Sequence, residues 1–164
     1  MVKKLVCLVS AALIVLFVFA SCGEEKKPQE GVSLYRLSKA MLEADTFTEM
    51  ITVGSSDSDA ADKFLYLSDV DYGKIDGYFL SYAKDGAGYE LAVVAAKDEA
   101  DVREIENSLG VHLEGRINLY KNYSPEDLPL AKAAKIGSLG RYVYLIMCRD
   151  TDAVKGAMEK MILG

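Results

Sequence analysis

The sequence predicts an α+β domain, with a small antiparallel sheet of about three strands and helices packed mainly on one face of the sheet. Two β-type runs, 78–83 and 89–96, flank the pair Asp85-Gly86, which is a strong signal for a hairpin. A third run of this kind covers 141–148. The segments around these runs carry apolar residues at helical spacing instead. The resulting order, helices followed by ββ-α-α-β-α, favours a sheet of this kind.

The chain before the hairpin is predicted to begin with a helix. Ser33 is a suitable N-cap for a helix that gathers four apolar residues on one face: Leu34, Leu37, Met41 and Leu42. Segment 47–53 fits either a short strand or a turn. Segment 55–62 is rich in Ser and Asp and can open a short helix, and the turn-like segment 69–77 then leads into the hairpin.

A long helix is predicted directly after the hairpin. Asp98 can cap it, and Asp101 in the first turn favours its N-terminus. At about 100° per residue, six apolar residues fall within one stripe: Val102, Ile105, Leu109, Leu113, Ile117 and Tyr120. Gly110 and Gly115 each weaken this helix by about 1 kcal/mol relative to Ala. We expect the packing of the stripe to outweigh them.

A short helix, a strand and a final helix complete the predicted domain. The Ser-Pro-Glu-Asp run at 124–127 is a helix start signal, and this helix is expected to end near residue 134. Gly137 and Gly140 bracket a predicted turn that precedes the strand at 141–148. The final helix is predicted over 153–162.

Residues 1–21 have the pattern of a bacterial lipoprotein signal peptide. Two lysines precede the apolar run 5–20, which has 16 residues, and small residues stand directly before Cys22. The ending resembles the lipoprotein box, with Phe19 where that box usually has Leu. The apolar run is shorter than the roughly 20 residues that a membrane-spanning helix needs. The alternatives to lipidation of Cys22 are a plain cleaved signal and a retained anchor.

Cleavage before Cys22 would leave a lipid-anchored chain with a tether and one domain. The lipidated Cys22 and the polar residues after it form a flexible tether, 22–32, and a single globular domain covers 33–164. A diacylglyceryl group on Cys22 provides two long chains, which is a stable anchor. We therefore expect the protein on the outer face of the cytoplasmic membrane.

Charge and cysteine content exclude several classes of protein. The net charge is −6, and removal of 1–21 takes away two lysines and no acids, which leaves −8. Such an acidic chain lacks the positive surface that nucleic-acid binding requires. Cys7 leaves with the signal and Cys22 carries lipid, so Cys148 stands alone at a strand end, where burial is expected. With one histidine and no cysteine pair, no zinc, iron–sulfur or other cofactor site is predicted.

No catalytic motif stands out. The Asp-rich runs 57–62 and 69–76 suggest calcium ligands, but they lack the Gly and Glu positions of an EF-hand loop and fit solvated turns and helix caps better. No nucleophile elbow or phosphate loop is present. The single histidine lies about 60° from the apolar stripe of its helix, at an interfacial position. An enzyme would need a pocket that holds at least two of these residues: Glu90, Glu126, His112 and Cys148.

The candidate binding residues are Arg116, Tyr123, Glu126 and Tyr142. Arg116 and Glu126 can pair across the kink between two helices, or Arg116 can hold the carboxylate of a ligand. Tyr142 and Tyr144 share one face of their strand. If no helix covers that face, it would suit a peptide or a glycan. If helices cover it, the ring bodies belong to the core.

Several short motifs, taken in order, resemble a family of Gram-positive bacterial lipoproteins that is defined by a domain of unknown function. The resemblance covers about residues 34–160, and these motifs carry it: Leu65-Tyr-Leu-Ser-Asp69, Gly77-Tyr-Phe-Leu-Ser-Tyr82, Glu90-Leu-Ala-Val with Lys97-Asp98, Tyr123-x-Pro125-Glu126 and Gly140-x-Tyr142-Val143. It implies an extracytoplasmic, membrane-tethered α+β domain. The family has no assigned catalytic residues to carry over.

These observations favour a binding or scaffolding module at the cell envelope, with an envelope protein, a peptide or a glycan as its partner. This hypothesis rests on the export signal, the tether and a core without a recognisable reaction centre. An envelope hydrolase is the alternative from another class. An accessory subunit for a transporter is a third possibility that the size of the chain allows.

Overall fold

The computed structural model describes residues 26–164, so the predicted signal peptide and Cys22 lie outside the described residues. Five helices and five strands alternate irregularly along this part of the chain, with short 3-10 turns at Tyr72–Lys74 and Glu99–Asp101. The helices are α1 Leu34–Leu42, α2 Ala60–Phe64, α3 Val102–Tyr123, α4 Leu128–Ala133 and α5 Thr151–Leu163. The strands are β1 Met50–Gly54, β2 Ile75–Ala83, β3 Glu90–Ala96, β4 Lys135–Leu139 and β5 Tyr142–Met147. Between residues 26 and 164, no helix combines the length and the apolar character that crossing a bilayer requires.

The fold is α+β as predicted, but the sheet has five antiparallel strands and not about three. Their spatial order is β1-β2-β3-β5-β4. The two additional strands are the edges. β1 lies in the segment 47–53, which fitted a strand or a turn, and β4 lies where a turn was predicted. Edge strands are short and only half-buried, so their sequence patterns are weak.

Helices cover both faces of the sheet, which corrects the prediction of helices mainly on one face. α1 and α5 pack on one face, called here the α1/α5 face, and bury Leu91 and Val93 of β3. α2 and α3 pack on the other, the α2/α3 face, and bury Ala92 and Val94. From Leu91 to Ala96, β3 is therefore apolar on both faces, as expected for a strand that helices cover on both sides.

The long helix α3 has two halves with different surroundings. Its first half packs on the sheet through Ile105 and Leu109, which are fully buried. Its second half extends to α4, and Tyr120 is buried against Ala131 and Met147. The long predicted helix is thus present, with a 3-10 turn before it where the cap was expected.

Residues 28–32, called here the strap, bond to the folded domain. The Gln29 N–H donates to Ile162 O at 2.8 Å. The Tyr142 hydroxyl donates to Gln29 O at 3.1 Å and accepts from the Val32 N–H at 3.1 Å. A Cβ on Gly140 would lie 2.8 Å from the ring of Pro28, so a glycine is needed for this close approach. The strap therefore runs beside the start of β5.

Candidate functional site

A pocket of about 450 Å³ opens at one corner of the sheet on the α2/α3 face. We call it the corner pocket, and its lining combines apolar, aromatic and charged side chains: Val53, Lys63, Tyr66, Leu80, Tyr82, Glu90, His112 and Arg116. Its volume lies within the range of small-ligand sites, which are commonly about 300–1,000 Å³.

The corner pocket lies between the sheet and the helices α2 and α3, which contribute Lys63, His112 and Arg116 to its lining. Glu90 is the first residue of β3, and strand register places it beside Tyr82 of β2 and Met147 of β5. The first half of α3 covers the middle of β3. His112 and Arg116 follow one turn apart, so both side chains project from the same face of the helix. This spacing brings them over Glu90.

Glu90 is the centre of the polar cluster. Its side chain is only 4 % exposed, and His112 Nε2 lies 2.5 Å from its Oε1. Arg116 Nε lies 3.2 Å from Oε2. A carboxylate removed from water is strongly destabilising unless it is paired and hydrogen-bonded. Contacts with the two α3 side chains therefore offset the cost of burying the Glu90 carboxylate.

Arg116 is held from two sides. Its Nη2 donates to the Tyr120 hydroxyl, and the guanidinium carbon lies 4.9 Å from the centre of that ring. Although Nε is within 3.2 Å of Glu90, its N–H does not point along that line and forms no hydrogen bond with any described residue. The contact with Glu90 is therefore mainly Coulombic. Burial raises the pKa of Tyr120, so its hydroxyl keeps its proton.

Lys63 and Tyr66 form the outer rim of the corner pocket. Lys63 Nζ lies 2.9 Å from Asp59 and 3.0 Å from Asp57, and these bonds raise the pKa of the lysine. Asp57 also accepts from the Gly54 N–H. The Asp-rich run 57–62 thus supplies ion-pair and turn partners. Tyr66 is 75 % exposed and stands free at the rim.

Arg116 keeps donor groups free in the corner pocket. Both Glu90 oxygens face a side chain of α3. Within residues 26–164, neither Arg116 Nη1 nor His112 Nδ1 has a hydrogen-bond partner. The hydroxyl of Tyr82 likewise has none there. The corner pocket is therefore suited to a ligand that presents acceptors, such as a carboxylate.

Of the four predicted binding residues, only Arg116 lies in the corner pocket. It pairs with Glu90 and not with Glu126, which is exposed in the turn after α3. Tyr123 is 80 % exposed and lies outside the pocket. Tyr142 is 6 % exposed on the opposite face, where it binds the strap. None of the other three residues lines the corner pocket with Arg116.

The tyrosine face that the sequence allowed as an open binding surface is in fact covered. Tyr142 and Tyr144 are both buried beneath α1 and α5, in the core of the α1/α5 face. The core interpretation of these two residues is confirmed. Arg141, next to them, donates to Ala96 O and Lys97 O and binds Asp76, so it ties neighbouring strands together.

Two residues at the centre of the site were considered from the sequence only as possible active-site residues of a hydrolase. They are Glu90 and His112, and the structure brings them into contact. A sequence signal was available, because Glu90 is the one charged residue in the apolar run 89–96. Cys148 is buried on the other face, where burial and the nearby Asp45 carboxylate raise the pKa of its thiol to about 12. It takes no part in the corner pocket.

Across the described part of the chain, no three His, Cys, Asp or Glu side chains are arranged to hold a metal ion. No curated protein and no solved structure matches the chain. A family described as a domain of unknown function (DUF4358) matches residues 49–148. This range runs from just before β1 to the end of β5 and includes every residue that lines the corner pocket. The chain belongs to the DUF4358 family.

Proposed function

We propose that this protein is a lipid-anchored lipoprotein of a Gram-positive cell envelope, whose domain is a binding or scaffolding module with the corner pocket as its ligand site. The observation that carries the proposal is the buried Glu90 carboxylate, held by His112 and Arg116 at the base of an open pocket. The DUF4358 match identifies a domain of unknown function at residues 49–148, and the lipoprotein part of the proposal rests on the sequence pattern of residues 1–22.

The polar cluster is better explained by binding than by stability. A buried ion pair is often no more stabilising than apolar residues of similar volume. Leu80 and Val53 beside it offer apolar surface against which an apolar residue at position 90 could pack. Recognition of a polar ligand requires charged side chains in a concave site and donors that are free to bind the ligand. The corner pocket has both.

Binding can be tested by capture from an envelope extract, with the full lipidated protein as bait. We expect wild type to enrich a specific partner and Arg116→Gln to lose most of it, because the pocket then lacks its main cation. Arg103→Gln is the matched control, since Arg103 is exposed on the same helix outside the pocket. Equal enrichment by the wild type and Arg116→Gln would contradict the corner pocket as the ligand site.

The proposed extracytoplasmic localisation rests on the signal-peptide pattern and on Cys22. Intact mass and membrane partition of the wild type beside Cys22→Ala test it directly. We expect a lipidated chain that starts at Cys22, and the loss of both lipid and membrane association in the variant. An unlipidated product in both cases would contradict the lipoprotein assignment.

An envelope hydrolase is the second candidate, favoured by the 2.5 Å contact between Glu90 and His112. If Glu90 accepts from Nε2–H, the other ring nitrogen is free to take a proton from water. Arg116 could then stabilise the oxyanion that forms as water attacks a carbonyl. Turnover of cell-wall peptides or generic esters, lost in His112→Gln, is the expected result. Rates that match buffer for the wild type would remove this candidate.

A further inference from the structure

The edge strand β1 carries backbone groups that the sheet does not use. Bonds from Lys84 N to Glu49 O and from Ser55 N to Tyr78 O fix the alternation along β1. By that alternation, Ile51 and Val53 bond to β2, while Met50, Thr52 and Gly54 direct their backbone groups outward. The outward side of β1 is the outer edge of the sheet.

Only part of this edge is satisfied within the molecule. The Gly54 N–H donates to Asp57, and the Gly54 carbonyl accepts from the Asp57 N–H. Within residues 26–164, the backbone groups of Met50 and Thr52 have no partner on the outward side. Two residues therefore offer two donors and two acceptors in the geometry of a missing neighbouring strand.

A depression lies on each face of the sheet beside this edge. The corner pocket is on the α2/α3 face, and Val53 forms part of its wall. A second depression of about 410 Å³, called here the α1 groove, lies on the other face between α1 and β1. Its lining is largely apolar and includes Leu42, Phe79 and the exposed Tyr35. Val53 lines both depressions.

Strand β1 has none of the features that usually prevent an edge strand from pairing with another strand. Residues 50–54 contain no charge and no proline, and the irregularity of the sheet lies further along β2, between Ile75 and Gly77. At the opposite edge, β4 begins with Lys135, which is paired with Asp152. Charges, prolines and bulges are the usual protection of exposed edges. Their absence from β1 leaves this edge open for pairing with another strand.

We propose that the partner of this protein binds as an extended polypeptide segment that pairs with β1 as a sixth strand. This proposal rests on the proposed binding function of the corner pocket and specifies the chemical class of the partner. In an added strand, successive side chains point to opposite faces. The residue opposite Thr52 would enter the α1 groove, and its neighbours would point to the α2/α3 face, on which the corner pocket opens beside Val53. Main-chain bonds then provide affinity, and the two depressions provide specificity.

Charge complementarity specifies the side chains of this segment. Lys63 and Arg116 are the cations that line the corner pocket, so an acidic side chain of the partner fits there. The α1 groove is lined by Leu42 and Phe79 and suits an apolar side chain. The preferred segment therefore alternates acidic and apolar residues.

The probe for this proposal is a phage-displayed library of random decapeptides, panned against the full protein in detergent micelles. We expect enriched sequences with acidic and apolar residues in alternation. Amide exchange of the complex then locates the peptide. The Met50 and Thr52 amides should become protected when an enriched peptide binds. The amides of Ile51 and Val53, already bonded to β2, should change little and serve as internal controls.

A pair of variants at one position separates backbone pairing from side-chain contact. Thr52→Pro removes an outward N–H that the sheet does not use, and proline is tolerated on an edge strand in this orientation. We expect it to weaken peptide binding about tenfold or more, because one main-chain bond is lost and the ring obstructs the edge. Thr52→Ala keeps the N–H and loses only the side chain, which lines the α1 groove, so binding should fall much less than in Thr52→Pro. Both variants lose the bond between Thr52 and Ser81.

The outcomes separate this inference from the proposed function. Peptides that bind Thr52→Pro as tightly as wild type, or that leave the Met50 and Thr52 amides unprotected, would overturn strand addition. If the binding of such peptides still requires Arg116, the corner pocket remains a ligand site although no strand is added to β1. If no peptide sequence is enriched although Arg116-dependent capture from the envelope succeeds, the partner does not bind as an added strand. Strand addition is then wrong, while the corner pocket remains the ligand site.

Discussion

Glu90 is the residue on which the interpretation of the site depends. It stands at the start of a strand whose other residues are apolar, and its side chain is almost fully buried. The two partners that make this burial possible, His112 and Arg116, come from one helix far along the chain. Neither hydrophobic periodicity nor β-propensity indicates such a pairing, because it arises from the crossing of α3 over the sheet. The sequence therefore predicted the strand and the helix but not their polar contact.

The contribution of Glu90 to stability can be measured with Glu90→Gln. We expect the free energy of unfolding to fall by about 1–3 kcal/mol, because the amide leaves the charge of Arg116 without its partner. Glu114→Gln, at an exposed position of α3, is the matched control and should stay within about 0.5 kcal/mol of wild type. Urea denaturation measures both. An equal change in the two variants would mean that Glu90 gains nothing from its partners.

Cys148 has a pH signature of its own. Burial and the Asp45 carboxylate raise the pKa of its thiol from 9.0 to about 12 in the folded protein. The folded state then holds a proton that the unfolded state releases between these values, so this contribution to stability falls as the pH rises from 9 to 12. We expect Cys148→Ala to reduce this decline when unfolding is measured across that interval. The same pH dependence in both proteins would contradict the raised pKa.

At the scale of elements, the strand that the sequence missed shows why prediction failed there. Gly137 lies in the middle of β4 and is paired with Tyr144 of β5. A Cβ on Gly137 would lie 2.6 Å from the tyrosine hydroxyl, so the ring occupies the space above the glycine. Glycine in a strand usually weakens it and indicates a turn in a sequence. Here the ring of Tyr144, from the neighbouring strand β5, covers the glycine and makes the strand possible.

Alanine at two glycines should have opposite effects. We expect Gly137→Ala to lower the free energy of unfolding by about 1–3 kcal/mol, because the new methyl group overlaps Tyr144. Gly110→Ala should raise it by about 0.5–1 kcal/mol, since α3 gains a better helix former and nothing lies near the added carbon. Thermal unfolding of both variants measures the difference. The same sign at the two positions would contradict the described packing.

The hairpin, α1, α3, β5 and the final helix could be predicted from the sequence because each has a strong local pattern. Ser33 does accept from the Arg36 N–H at the start of α1. The Asp85-Gly86 turn does place Gly86 at a positive φ of 83°. The covering of both faces and the corner pocket depend on contacts between distant segments. Such contacts leave little trace in a single sequence.

At the scale of the whole molecule, the strap and the corner pocket lie at opposite ends of β5. Tyr142, at the start of this strand, binds the strap, and Met147, at its end, lies beside Glu90. Five steps along a strand span about 17 Å. The five residues 23–27 between Cys22 and the strap can reach at most about 17 Å. On the proposed lipid anchor, the strap end would face the bilayer and the corner pocket would face away from it.

The attachment of the strap can be tested with Tyr142→Phe. Loss of the hydroxyl removes the bonds to Gln29 and Val32, so we expect faster amide exchange at Val32 while the free energy of unfolding falls by only about 1 kcal/mol. Tyr144→Phe removes a hydroxyl of the same face that does not bind the strap, and should leave this exchange unchanged. Unaltered exchange at Val32 in Tyr142→Phe would show that the strap is held by other contacts.

The most direct test of the central claim is photo-crosslinking in intact cells, with a photoreactive phenylalanine at position 66 or 123. Tyr66 and Tyr123 are 75 % and 80 % exposed, but only Tyr66 lies at the rim of the corner pocket. We expect a discrete crosslinked product in the membrane fraction from position 66, lost when Arg116→Gln is added, and none from position 123. No product at position 66, or the same product from both positions, would contradict the corner pocket as the binding site of an envelope protein.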